Sequence, residues 1–292
     1  MMPLEKIVQE CDATTASLFI ESQANKKSKL MYTLITGASS GIGKALSLEC
    51  ASRGMNLLLV ALPGEELCEL EKKILSQYRV ACFSFGTDLS KHCSYVDVYN
   101  WVKENKYAVN ILINNVGLGS KGAFEQISTD FYHTQLSLNI ITTCMLTRLF
   151  VNDLKANAPA HILNVGSLGG FFSLPHKSVY AASKAFIYSF SKAIRIEFEP
   201  LGIKVSVLCP GGTNSNERTI AINKDLKGIA KTSILQPQQV AKEAVDQMLK
   251  GRRRIIPGLC NKFIYHLSRL TPEFLQDFFV RRAFSHVKRH EY

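Results

Sequence analysis

Ser167, Tyr180 and Lys184 stand in a Ser-x12-Tyr-x3-Lys arrangement. A tyrosine and a lysine four residues apart on a helix project from one face. A phenol with a reference pKa of about 10 is a poor base at neutral pH. A neighbouring ammonium favours the phenolate and brings that value down. Such a tyrosine can give or take a proton at a carbonyl or hydroxyl oxygen. Ser167 follows an apolar run and so ends a strand, where its hydroxyl can hold the same oxygen. Taken singly, each residue has a plainer reading: a solvated lysine, a helix tyrosine, a turn serine.

Thr36-Gly37-Ala38-Ser39-Ser40-Gly41-Ile42-Gly43 directly follows the first apolar run and opens a helical pattern. Gly37 permits a tight turn, Gly41 clears space for a pyrophosphate, and Gly43 lets helix and strand pack closely. The helix N-terminus adds free N–H groups and partial positive charge. A strand–turn–helix context is what separates this loop from an ordinary glycine turn. About 20 residues on, an NAD-preferring loop has an acid for the ribose. Here that place reads Val60-Ala61-Leu62-Pro63, with neither an acid nor a basic residue. Glu65 and Glu66 come later and begin the next helix. The cofactor expected is NAD(P), leaning to NADP.

These groups need a frame. Apolar runs at 31–36, 56–61, 80–85, 109–114, 160–166, 203–209 and 253–257 read as strands. Helical segments lie between them, near 41–53, 64–77, 90–104, 128–157, 177–200 and 237–250. Val/Ile/Leu-rich strands alternating with helices predict one doubly wound parallel sheet of about seven strands, with helices on both faces. Residues 31–257 form that α/β domain, 1–30 an N-terminal extension, and 258–292 a basic amphipathic helical C-terminal extension. Thr271-Pro272-Glu273 reads as a helix start within the extension.

Beyond the loop and the Ser-Tyr-Lys set, the chain carries Asp88-Leu89 after the third strand and Asn114-Asn115-Val116-Gly117 after the fourth. Asn139 lies in the long helix, and Pro210-Gly211 follows the sixth strand. Over residues 31–257 this set resembles the short-chain dehydrogenase/reductase family. The resemblance implies a Rossmann fold and hydride transfer between a nicotinamide and an alcohol or carbonyl. It implies that Gly37, Ser39, Ser40, Gly41, Ile42 and Gly43 hold the phosphates, that Asp88 bonds the adenine amino group, and that Leu89 lies beside the ring. Asn115, Val116 and Gly117 would support the adenosine side. Asn139 would hold a water in a proton relay from Lys184. Ser167 would orient the substrate oxygen and Tyr180 transfer its proton, with Lys184 also on the nicotinamide ribose. Pro210, Gly211 and Thr213 would close over the nicotinamide, with Ser215 a second candidate. Local readings stand beside two of these: Asp88 as a cap for the helix near 90–104, and Asn139 as a satisfied polar residue within a helix. Two positions depart from the common pattern. Val116 stands where the family often has Ala, and the Val form is similar to reductases of long-chain 3-oxoacyl and keto-steroid substrates. Leu62 stands where many NADP-dependent members carry Arg.

The segment 212–236 would form a substrate lid, with Ile220, Ile222, Leu226 and Ile229 giving it apolar character. Ser173, Leu174 and His176 would face the substrate. Phe171 and Phe172 could line the same pocket or pack in the core. An apolar carbonyl or secondary alcohol is expected: a keto-lipid, a 3-oxoacyl derivative or a steroid-like ring. The family resemblance also implies a homo-oligomer through the two long helices. A regulator that binds nucleotide without turnover is the competing reading. The presence of all four catalytic positions weighs against it.

The 292 residues carry 35 Lys and Arg against 24 Asp and Glu, a net charge of +11. At 46% hydrophobic residues the composition excludes a disordered chain. Residues 250–292 hold ten basic residues against three acids, so much of the excess belongs to the tail. A basic tail suits an anionic membrane surface or simple solvation. Its apolar positions Leu259, Phe263, Leu267, Leu270, Phe274, Leu275 and Phe278 suit a membrane, a partner copy or the domain itself. No nucleic-acid motif is present, and no nucleic-acid partner is expected. Eight cysteines show no Cys-x-x-Cys pair and no zinc spacing, which predicts reduced thiols, no metal and a cytoplasmic setting, with membrane association open. No apolar run is long enough to span a bilayer.

Overall fold

Continuous Val, Ile and Leu runs leave a strand no polar face, so both sides must be covered. The computed structural model describes residues 30–120, 122–215, 219–220 and 231–284. It places β1 Met31–Thr36, β2 Asn56–Ala61, β3 Cys82–Gly86, β4 Ala108–Asn114, β5 Ala160–Val165, β6 Ile203–Leu208 and β7 Arg254–Ile255 in one sheet. The order is β3-β2-β1-β4-β5-β6-β7, and every pairing is parallel. Alternate residues of each strand serve opposite cores. Ile35, Leu57 and Leu59 pack under α1 (Gly41–Ser52), α2 (Glu65–Gln77) and α7 (Pro237–Leu249). Leu34, Leu58 and Val60 pack under α3 (Ser94–Glu104), α5 (Thr142–Ala156) and α6 (Ser178–Phe198). Strand order reverses between β1 and β4, and the carboxyl ends diverge there into a crevice.

The expected elements form with three instructive differences. The helix near 90–104 begins only at Ser94, because Asp88 captures Ser90 and Cys93 turns left-handed at φ 62°. The long helix near 128–157 is α4 (Thr129–Leu136) and α5 joined through a π-turn at Ser137–Ile141, which carries Asn139. The strand near 253–257 shrinks to two residues.

Residues from Met31 on form a unit separate from Met1–Leu30. The proposed N-terminal extension, apart from Leu30, lies outside the described residues, as do Ile222, Leu226 and Ile229 of the lid and the last eight residues of the tail. The C-terminal extension contains α8 (Leu259–Leu270) and α9 (Glu273–Phe284). Among the described residues no helix is long and apolar enough to cross a membrane. No cluster of His, Cys, Asp or Glu among them could hold a metal. Seven of the cysteines are described, and all seven are free thiols.

Phe150 of α5 is fully buried and meets Tyr99 edge to face at 5.2 Å. Phe150→Ala should cost about 3–5 kcal/mol through lost burial and the cavity left behind. Urea unfolding followed by circular dichroism reads this loss.

Candidate active site

The β1–α1 turn is fixed from the side by β4. The Asn115 amide donates to the carbonyls of Thr36 (2.9 Å) and Gly37 (3.1 Å). In return the Thr36 hydroxyl accepts from the backbone N–H groups of Asn115 and Val116, both at 3.1 Å. This closeness dictates glycine. A Cβ at Gly43 would lie 1.9 Å from the Gly37 carbonyl oxygen and 2.5 Å from the Asn115 amide nitrogen. Gly37 and Gly41 have φ of +63° and +54°, the left-handed region that side chains disfavour. The bare turn and the N-terminus of α1 together open on a cleft of about 750 Å³. That volume is ample for a dinucleotide end and a substrate.

Seventeen of the sequence-expected site residues line this one cleft. They are Gly37, Ser39, Ser40, Gly41, Ile42 and Gly43 on the turn. Asp88, Leu89, Asn115, Val116 and Gly117 follow on the next loops. Ser167, Tyr180, Lys184, Pro210, Gly211 and Thr213 close the far end. Ser215, the second candidate, lines it too, with its Cβ 3.1 Å from where a Gly41 Cβ would stand. Asn139 does not line it and works from behind. Its carboxamide accepts from the Leu118 N–H at 2.7 Å and donates to the Leu118 carbonyl at 3.1 Å and the Ser183 hydroxyl at 2.9 Å. The π-turn is what aims Asn139 inward, and such turns cluster at functional sites.

Asp88 does not cap α3. Its carboxylate accepts from the Ser90 N–H (3.0 Å) and hydroxyl (2.7 Å), and these bonds hold its pKa below the usual carboxylate value. Leu62 is 62% exposed in the cleft lining, so the place at the end of β2 carries an apolar side chain, neither an acid nor a base.

At the reactive end, Ser167 leaves β5 and accepts from the Gly169 N–H at 3.0 Å. Tyr180 and Lys184 come from successive turns of α6. The Lys184 ammonium donates to the Val165 carbonyl at 2.8 Å and lies 6.0 Å from the Tyr180 ring centroid. Burial pushes its pKa down to about 8, with Cys209 pulling weakly the other way. The phenol departs from the sequence expectation. Burial raises the Tyr180 pKa, and the hydrogen bond with Ser167 only partly offsets that rise. The Lys184 ammonium stands 6.0 Å from the ring centroid and bonds a backbone carbonyl, and desolvation leaves the Tyr180 pKa above the ordinary phenol value.

The residues expected to face substrate divide. Leu174 and Phe172 line the cleft, while Ser173 and His176 do not. Phe171 packs instead against Tyr188 and Tyr265, each at a centroid distance of 4.7 Å. Thr87, Leu118, Leu138 and Lys177 join the lining without having been anticipated. Asn261 of α8 is a further surprise. It is buried, donates to the carbonyls of Ser233 (3.1 Å) and Pro257 (2.9 Å), and fills the space beside Gly211. Lying some fifty residues beyond Pro210-Gly211, it had no spacing signal to reveal it.

The residues present fit a nicotinamide dinucleotide: a side-chain-free cradle at a helix N-terminus, in one cleft with a buried lysine and a half-buried tyrosine. Comparisons with known proteins agree. A family model described as short chain dehydrogenase matches residues 31–227. The very-long-chain 3-oxoacyl-CoA reductase-A of Danio rerio is 32% identical over 185 residues, 61% of this chain and 57% of the relative. This chain therefore spans under two thirds of that relative's length. The 3-dehydrosphinganine reductase of Danio rerio is 29% identical over 230 residues, 75% of this chain and 69% of that one. A short-chain dehydrogenase of Sphingobium yanoikuyae solved with NADPH is 26% identical, with a TM-score of 0.73. It covers 90% of this chain and 98% of its own.

Asn115→Ala would leave two carbonyls of the turn unpaired, at about 1–3 kcal/mol. Calorimetric titration should then show NADPH binding weakened roughly tenfold or more. Lys184 gives a pH signature. The unfolded chain keeps this proton to about pH 10.5, whereas the folded chain releases it near 8. Relative to Lys184→Met, wild-type stability should therefore rise as pH climbs from 8 towards 10.5, by an amount on the order of 3 kcal/mol. Denaturant titrations of both proteins across that window measure the difference, which cancels the background of other titrating groups.

Proposed function

This chain belongs to the short-chain dehydrogenase family, and from that premise we propose an NAD(P)-dependent oxidoreductase that interconverts an apolar carbonyl compound and its secondary alcohol. The observation that carries the reading is the meeting of Ser167, Tyr180 and Lys184 in one glycine-cradled cleft.

A substrate oxygen placed between the Ser167 and Tyr180 hydroxyls accepts a hydrogen bond from each. The nicotinamide ring, when bound, supplies or accepts the hydride at the neighbouring carbon. In the reducing direction Tyr180, kept protonated by burial, gives its proton to the developing alkoxide. Ser167 stabilises the same charge by donating a hydrogen bond to it. Lys184 can then return a proton to Tyr180, because its own pKa near 8 makes release easy at neutral pH. Asn139 lies behind the lysine: a Cβ at Gly117 would find its Oδ1 at 3.0 Å and the Lys184 Nζ at 3.3 Å. This nearness supports a role for Asn139 in holding a water in the path that resupplies Lys184.

The cofactor end favours NADP over strict NAD, since Leu62 offers no carboxylate to a ribose 2′-hydroxyl. The substrate end is apolar, with Leu168, Phe172 and Leu174 beside Ser167 and Tyr180. This lining, Val116, and relatives named as acyl-CoA and sphinganine-type reductases support a keto-lipid, a 3-oxoacyl derivative or a steroid-like ketone. Ile141, Met145 and Phe186 expose apolar side chains on the π-turn, α5 and α6. That face suits a homo-oligomer.

Purified protein should oxidise NADPH in the presence of bulky apolar ketones. Tyr180→Phe should lower turnover by about 10²–10⁴-fold while leaving NADPH affinity within a few fold. Stopped-flow absorbance at the nicotinamide band reads both. Tight NADPH binding by wild type with no turnover on any such ketone would instead favour a nucleotide-binding regulator.

A further inference from the structure

Helix α8 is amphipathic in an unusual sense: its side facing away from the domain is apolar. Asn261 and Tyr265 lie one turn apart and are its buried residues. Tyr265 is held on three sides. It packs against Phe171, lies 4.1 Å under the Arg254 guanidinium, and accepts a hydrogen bond from it at 2.6 Å. Arg254 also donates to the Tyr188 hydroxyl at 3.1 Å. On the same flank, Lys262 pairs with Glu243 at 2.6 Å, joining α8 to α7. These contacts fix the rotation of α8 about its own axis. At 3.6 residues per turn, the opposite side then carries Leu259, Phe263, Leu267 and Leu270. They are 83%, 63%, 52% and 83% exposed. Phe274, 70% exposed, follows at the start of α9.

Five large apolar side chains facing water within sixteen residues are costly unless something covers them. Their borders say what kind of surface that is. Arg269 stands on the edge between the buried and outward sides of α8, on the same flank as the Lys262–Glu243 pair. The segment 250–292 has ten basic residues against three acids. Two such tails facing each other across a dimer would repel. An anionic surface with an apolar interior complements both the stripe and its borders, since long basic side chains reach up to headgroups while Leu and Phe enter the acyl boundary. We propose that the outer face of α8 and the start of α9 is a docking surface for an anionic lipid bilayer, which it enters without spanning. The same helix reaches the catalytic domain on its buried side, where Asn261 donates to the Ser233 carbonyl.

Flotation of the full chain with vesicles tests this, and its readout is independent of turnover. Wild type should float with phosphatidylcholine vesicles containing phosphatidylserine. Recovery should be at least tenfold lower with phosphatidylcholine alone, and should fall as salt is raised. Phe263→Glu/Phe274→Glu replaces two exposed side chains and should abolish flotation while melting temperature and NADPH affinity stay unchanged. Equal recovery on both vesicle types, or retained flotation by the double variant, would overturn the proposal. So would a wild-type dimer that the double variant converts to monomer in light scattering, with no vesicle binding by either. That result would assign the stripe to a second copy of the chain.

Discussion

One carboxamide sets the distance on which the site depends. Asn115 reaches from the end of β4 to two successive carbonyls of the turn after β1. That reach is possible only because Gly37 and Gly43 have nothing in the way. The switch point between β1 and β4 would open a crevice in any sheet of this order. The Asn115 bonds turn the crevice into a cradle of defined width, with α1 aimed at it. The phosphate end of the cleft is thus a backbone turn held by one carboxamide and one hydroxyl, and it needs few cationic side chains.

The reactive end is built differently, by burial. Lys184 is buried and Tyr180 half-buried, and desolvation drives each towards its neutral form. The ionisation of the pair is therefore set by the surrounding walls more than by mutual attraction. The walls include the 168–171 turn, which touches α6 so closely that a Cβ at Gly170 would lie 2.8 Å from backbone atoms of Lys184 and Ala185. The π-turn adds Asn139 from the other side.

Much of this was legible in the residues. β1 and β2 match their apolar runs residue for residue, because a buried parallel strand leaves little choice of composition. The glycine turn and the Ser-Tyr-Lys spacing located both ends of the cleft. What sequence could not carry were effects of three-dimensional surroundings. The period of residues 128–157 reads as one helix, and a single inserted π-turn does not disturb the pattern enough to be seen. The late start of α3 depends on Asp88 bonding Ser90 and on a left-handed Cys93, which any residue type leaves ambiguous. The direction of the Tyr180 shift depends on how deeply the phenol is buried, and spacing says nothing of depth. Phe171 and Phe172 are adjacent and alike, yet one packs on Tyr265 and the other faces the cleft. The outward side of α8 likewise became definite only through the anchoring of Tyr265.

The segment after Pro210-Gly211 leaves and rejoins the domain through a narrow neck. Thr213 pairs with Leu235, the Leu235 N–H donates to the Gly212 carbonyl at 3.0 Å, and the Asn214 N–H donates to the Leu235 carbonyl at 3.2 Å. With both ends clamped together, the chain between them can change length or composition at small entropic cost. Such a change would leave the strand ends and Tyr180 where they are. The neck thus acts as a hinge pin in reverse: it isolates the strand ends from whatever length of chain is spliced in beyond it.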